Sequence, residues 1–113
     1  DVAARMSDVR RVMQRECLVE KNADGLSAAL RTVRAVQTEI AEQIGATPDT
    51  LLDILGLRNM AQASELVLSA CLNRNETRSA HYRLDHPTTN PSLAHSYTLW
   101  RGENGPVLSR LDY

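Results

Sequence analysis

The 113 residues predict a mainly α domain: an antiparallel three-helix bundle, followed by an irregular loop and a C-terminal β-hairpin. Three observations carry this expectation. Apolar residues recur at helical spacing through three long segments. Aromatic residues make up 4% of the chain and phenylalanine is absent, so the core must be aliphatic, which suits helix packing better than a β-sandwich. Capping and turn residues separate the segments by short breaks.

The length is that of a single domain, able to bury a core but near the small end for doing so. Hydrophobic residues are 42% and charged residues 24%, ordinary proportions for a globular protein. The formal net charge is −1, which removes the electrostatic case for non-specific nucleic-acid binding. All but one of the 13 basic residues are arginine, the exception being Lys21. Arginine suits bidentate carboxylate pairing and interfaces, and a GC-rich genome explains the bias equally well. No apolar run approaches the ~20 residues of a membrane span, and no secretory signal is present. The chain opens on Asp1 within a polar helical pattern, which reads as a piece of a longer polypeptide.

The first helix is expected over residues 1–17. Val2, Met6, Val9, Met13 and Cys17 form one stripe, with Arg5, Asp8, Arg11 and Arg15 opposite. Residues 18–25 break the pattern, and Asn22 or Asp24 can accept backbone N–H groups at a helix start. The second helix is expected from about Leu26 to Ile44, with Leu26, Leu30, Val33, Val36 or Gln37, Ile40 and Ile44 inward and Gly45 as the stop. Thr47-Pro48-Asp49 is a strong start for the third: a cap, a proline in the first turn and an acid at the positive end of the dipole.

This third helix is expected to run through about Asn75. Leu52, Leu55, Asn59, Met60, Ala63, Leu66, Val67, Ala70, Cys71 and Arg74 fall on a broad face. Leu51, Ile54, Leu57 and Leu68 extend the apolar character around much of the circumference, and a helix of that kind sits in the middle of something. Gly56, Ala61, Ala63 and Ser64 permit close backbone approach. As the longest of the three, it should protrude past its partners or bury its excess against another domain. Short connections make the bundle antiparallel and spectrin-repeat-like.

The helical pattern fades beyond Asn75. Pro87 and Pro91 bracket an extended polar loop within residues 76–93. His95 to Trp100 and Val107 to Leu111 alternate on either side of Asn104-Gly105, reading as a hairpin over 94–113. An isolated hairpin is marginal in water, so it should lie on the bundle or on a missing domain.

Candidate chemistry concentrates in residues 74–86, with Arg74, Glu76, Arg78, His81, Tyr82, Arg83, Asp85 and His86 close together. His81, His86 and His95 lack helical ligand spacing, so surface or interface histidines are expected rather than a metal site. Ser79 has no strand-turn-helix elbow around it, and no phosphate-cradling glycine loop is present. Cys17 and Cys71 are far apart in sequence and on apolar stripes, and read as buried reduced thiols of an intracellular protein. The charged groups are either a solvated loop worth little or a latch between the end of the third helix and a neighbouring surface. His81 and Tyr82 between the arginines favour the latch, made by Arg74, Glu76, Arg78, His81, Tyr82, Arg83 and Asp85, since arginine and tyrosine are preferred interface anchors.

Leu57-Arg58-Asn59-Met60, the segment from Ala63 to Leu72, and Asn75 through Pro87 together resemble the pattern LRNM…AELV…A…R-ESRGAHYREDYP. That pattern belongs to the C-terminal helical domain of the succinate dehydrogenase/fumarate reductase flavoprotein family, which includes L-aspartate oxidase. Met13-Gln14 through Leu26 is similar to the family's connection between the first two helices, and Leu93 to Ser96 to its step before the final strands. Ser79 stands where the family has glycine, Ser92 where it has tryptophan, and Gln14 where it has an aromatic residue.

The resemblance implies a parent oxidoreductase in which FAD exchanges hydride with a C4 dicarboxylate. Its FAD-binding and capping domains would precede Asp1. None of the family's substrate or flavin residues maps onto this sequence, so no cofactor is expected in this piece. The domain would brace the flavin domain, and a further partner would be an iron–sulfur subunit. The setting implied is the cytoplasm or, through partner subunits, the inner face of the cytoplasmic membrane. The alternative is a free-standing three-helix interaction module.

Overall fold

A computed structural model describes residues 1–42, 47–100 and 102–111. The expected end of the second helix at Ile44, the stop at Gly45, and residues 101, 112 and 113 of the expected hairpin lie outside these. Three helices dominate: α1 (Val2–Cys17), α2 (Ala23–Ala41) and α3 (Pro48–Asn73). Each packs against the other two. The core is aliphatic, formed by Val9 and Val12 of α1, Leu26, Ala29, Leu30, Val33 and Val36 of α2, and Leu57, Ala61 and Leu68 of α3. Met6, Met13, Cys17, Ile40, Met60, Cys71 and Leu72 seal its margins.

The starts of the helices are set by local chemistry. The Asp1 carboxylate accepts the Ala3 N–H at 3.0 Å. Of the two caps the sequence offers for α2, Asn22 serves: its Oδ1 accepts the Gly25 N–H at 2.7 Å. The helix therefore starts before Leu26, and Gly25 lies inside its first turn, where a Cβ would run into the Glu16 carboxylate. At α3, Thr47 is the cap residue and Pro48 opens the helix; the Thr47 N–H donates to Thr50 Oγ1 at 3.1 Å.

The face that α3 buries overlaps the expected one only in part, at Met60 and Cys71, which pack against the core. Leu57, Ala61, Ser64 and Leu68 are buried, whereas Leu52, Asn59, Ala63, Leu66 and Val67 are exposed. The helix is apolar on both sides, so periodicity alone does not choose between them. Packing selects the side carrying Leu57, Ala61, Ser64 and Leu68, where the small Ala61 and Ser64 sit between two leucines, and leaves Leu52, Leu66 and Val67 outward.

The breaks in the helical pattern hold strands the sequence did not reveal. β1 (Glu20–Lys21) and β2 (Tyr82–Arg83) pair in parallel, Glu20 with Tyr82 and Lys21 with Arg83. Two-residue strands carry no readable alternation, and their partner is distant in the chain. The C-terminal strands β3 (Ser96–Trp100) and β4 (Pro106–Arg110) form the expected antiparallel pair, in register from Ser96–Arg110 to Trp100–Pro106. β4 lies against α3. The turn between them uses positive φ at Gly102 (51°) and Gly105 (69°), the left-handed region open to glycine.

Candidate functional site

The cluster at residues 74–86 sits where the C-terminus of α3 meets the N-terminus of α2, and its geometry follows from the charges of those two ends. The last turn of α3 leaves carbonyl oxygens without intrahelical partners. Arg83 takes them: its Nη1 donates to the carbonyls of Cys71 (2.9 Å), Leu72 (3.2 Å) and Arg74 (3.4 Å). The other edge of the guanidinium forms a two-pronged pair with Asp85, Nε to Oδ1 at 2.8 Å and Nη2 to Oδ2 at 2.7 Å. Asp85 Oδ2 also accepts the Ala23 N–H at 3.2 Å, at the first residue of α2. A cation thus faces the negative end of α3 and an anion the positive end of α2, each opposing a helix dipole. The Arg83 side chain is 1% exposed.

Glu76 organises the second half of the cluster and is fully buried. Its Oε2 accepts from Arg74 Nε (2.8 Å) and Arg78 Nε (3.0 Å), and its Oε1 from Arg78 Nη2 (3.1 Å) and the Asn90 N–H (2.9 Å). Arg74 reaches on to the Leu93 carbonyl at 3.1 Å, and Arg78 to the Asn90 carbonyl at 2.9 Å. Thr77 donates through its hydroxyl to the His86 carbonyl at 2.8 Å and through its N–H to the Thr88 carbonyl at 3.1 Å. The segment expected as an extended polar loop is therefore folded back on itself, and Arg74 ties it to the end of α3 through Glu76 and the Leu93 carbonyl.

Electrostatics follow the contacts. Burial raises the Glu76 pKa, but Arg78, the Asn90 N–H and Arg74 outweigh it and bring the carboxyl down to about 2. The Arg83 fork, helped by the Ala23 N–H, overcomes burial and holds Asp85 well below the usual carboxylate range.

The seven residues expected to make one latch divide by depth. Arg83 and Glu76 are inside, and Arg74 is nearly so with its side chain 16% exposed. His81 is half-buried, its Nε2 lying 3.0 Å from the Arg74 carbonyl oxygen. Tyr82 faces outward, and Arg78 and Asp85 keep partial exposure at the rim. Four participants gave the sequence pattern little to show: Asn90, Thr77, the Ala23 N–H and Lys21. Only Asn90 had a signal, as the residue before a proline at a turn. Lys21, 5% exposed, donates from Nζ to the Val19 carbonyl at 3.0 Å.

Ser79 lies at the tip of a turn closed by reciprocal bonds between Arg78 and His81, and its φ is +53°. A side chain is disfavoured in that region. Replacing Ser79 with glycine is expected to raise the unfolding free energy by about 0.5–1 kcal/mol, measured by urea denaturation; unchanged or reduced stability contradicts this.

Among the described residues, no group of three or more His, Cys, Asp or Glu is placed to hold a metal ion, and no helix is long and apolar enough to cross a membrane. Fold and site together define a helical domain whose helix ends are clasped by a buried arginine–carboxylate network. The chain belongs to the C-terminal domain family of succinate dehydrogenase/fumarate reductase flavoproteins: residues 6–113 match the family model described as "Fumarate reductase flavoprotein C-term". It is 32% identical to an L-aspartate oxidase of Rhodospirillum rubrum over 96 residues, covering 85% of this chain and 30% of that protein. It is 33% identical to an uncharacterized FAD-dependent oxidoreductase of Methanocaldococcus jannaschii over 98 residues, covering 86% of this chain and 17% of the relative. An L-aspartate oxidase of Ralstonia nicotianae is 30% identical over 90 residues, covering 80% of this chain and 17% of the relative. The chain spans less than a third of the length of each of these relatives. No solved structure gives a significant match.

Proposed function

We propose that this chain is the C-terminal structural domain of an FAD-dependent oxidoreductase of the succinate dehydrogenase/fumarate reductase type, docked on the flavin-binding part of the same polypeptide and bracing it. In this reading the helices form an antiparallel bundle, FAD and the dicarboxylate chemistry belong to the rest of the protein, and an iron–sulfur subunit is a further partner of the assembled enzyme. The protein works in the cytoplasm or at the inner face of the cytoplasmic membrane through partner subunits. Family membership and the small share of each relative that the chain spans support the assignment.

The observation that carries the bracing role is the outward apolar face of α3. Leu52 is 78% exposed, Val67 47% and Leu66 38%, on the longest helix of the domain. Tyr82 and the rims of Arg78 and Asp85 are the parts of the expected latch left open to a partner, positioned from behind by Arg74, Glu76, His81 and Arg83. Large aliphatic residues left exposed near both the start and the middle of one helix support a contact surface there.

The test is Val67→Asp in the full-length protein. A carboxylate buried at the domain contact is expected to weaken docking by about 2–4 kcal/mol, seen as easier proteolysis between the domains and faster FAD loss. The isolated domain should melt as before, because Val67 is exposed within it. A full-length variant with unchanged protease resistance and FAD retention would overturn the reading that this face of α3 braces the flavin-binding part.

A further inference from the structure

Cys17 ends α1 and Cys71 lies in the final turn of α3, and the structure brings their sulfurs to 3.9 Å. Both side chains are half-buried rather than enclosed. The clasp uses the carbonyl of Cys71, through Arg83, but neither thiol. The thiol–thiol contact joins residues 54 apart in sequence, which is why spacing alone gave no sign of it.

The two sulfurs are not equivalent. The hydrogen bond shared with Cys17 draws the Cys71 thiol below its ordinary range; burial opposes this, and the neighbouring His81 and Lys21 assist it. The same pairing and burial push Cys17 up. Thiolate character, and with it nucleophilicity, therefore falls on Cys71. A disulfide needs the sulfurs to close from 3.9 Å to about 2.0 Å.

We propose that Cys17 and Cys71 are a reversible redox pair that takes a hydroperoxide as oxidant and forms an intrachain disulfide between α1 and α3. The Cys71 thiolate attacks the terminal oxygen of hydrogen peroxide. The O–O bond breaks, the released hydroxide takes up a proton to become water, and Cys71 becomes a sulfenic acid. The Cys17 sulfur then attacks the sulfenic sulfur. The S–S bond forms, hydroxide leaves, and the Cys17 proton converts it to a second water. Two thiols are oxidised by two electrons and one peroxide is reduced to two waters. The product staples α1 to the helix end that Arg83 clasps, so the oxidised domain is the stiffer one. This inference does not depend on the flavoprotein assignment.

The test is peptide mapping of the purified full-length protein, without reduction, after equimolar hydrogen peroxide. A linked pair of peptides carrying Cys17 and Cys71, two hydrogens lighter than their sum and separated by dithiothreitol, is the expected result. In Cys17→Ser the reaction should stop at a Cys71 sulfenic acid trapped by dimedone. In Cys71→Ser, dimedone labelling of Cys17 should be at least tenfold slower. Absence of the linked peptide from the wild-type map overturns the proposal, and equal labelling in the two variants overturns the assignment of Cys71 as the attacking sulfur. The wild-type map stands even where a serine variant fails to fold.

Discussion

Arg83→Ala is expected to lower the unfolding free energy of the domain by about 3–5 kcal/mol, read from urea or thermal unfolding. The size follows from what the guanidinium leaves behind. Asp85 loses both prongs of its pair, and the carbonyls of Cys71, Leu72 and Arg74 lose a buried donor. Unpaired groups of this kind cost their desolvation in full. Arg83→Lys separates charge from geometry: an ammonium keeps the cation at the end of α3 but cannot serve Asp85 and the carbonyls at once. It should recover only part of the loss. Full recovery by lysine would show that charge alone holds the clasp, and a loss below about 1 kcal/mol in the alanine variant would place Arg83 among ordinary surface ion pairs.

Glu76→Gln is expected to cost about 3 kcal/mol at neutral pH, because Arg74 and Arg78 lose a buried anion and the amide turns donors toward donors. The pH dependence gives the sharper test. The folded pKa of Glu76, about 2, lies below the unfolded value near 4.5. The folded state therefore holds the carboxylate ionised more strongly. Its contribution is complete above pH 4.5 and is lost as the pH falls toward 2. That linkage amounts to about 3 kcal/mol. The wild-type protein should lose stability steeply across that window while Glu76→Gln follows a flatter line, so the two converge in acid. Asp85, also depressed, adds to the acid limb of both proteins. Parallel curves would show that Glu76 does not titrate within the folded domain.

The mechanical sense of the clasp lies in which ends it joins. α3 supplies the outward apolar stripe, and its C-terminus is held to α2 through Arg83 and Asp85 and to the following chain through Glu76. A load placed on α3 therefore reaches α2 and the segment leading to β3 through hydrogen-bonded ion pairs rather than through a loose loop. Loss of either buried ion should loosen the surface that α3 offers without removing any residue from that surface.

What the sequence determined by itself was local. Helical periodicity located three helices, Thr47-Pro48 marked the start of α3, Asn22 was among the caps named for α2, and alternation around Asn104-Gly105 marked the final strand pair. The order of residues from Asn75 to Pro87 was distinctive enough to point to the family. These signals reside in neighbouring residues, whose backbone preferences act within a turn or two.

Tertiary structure alone decided the rest. It chose which apolar side of α3 to bury, because both sides satisfy the helical period and only packing against α1 and α2 tells them apart. That same packing brought Cys17 to Cys71. It drew Arg83 and Glu76 inward, which a charged run does not announce, because their burial depends on carbonyls and N–H groups freed at helix ends elsewhere: the Ala23 N–H that completes Asp85 is 62 residues away. For the clasp, the deciding energy comes from groups left unsatisfied when elements end, and the chain meets those demands across distances that no local pattern encodes.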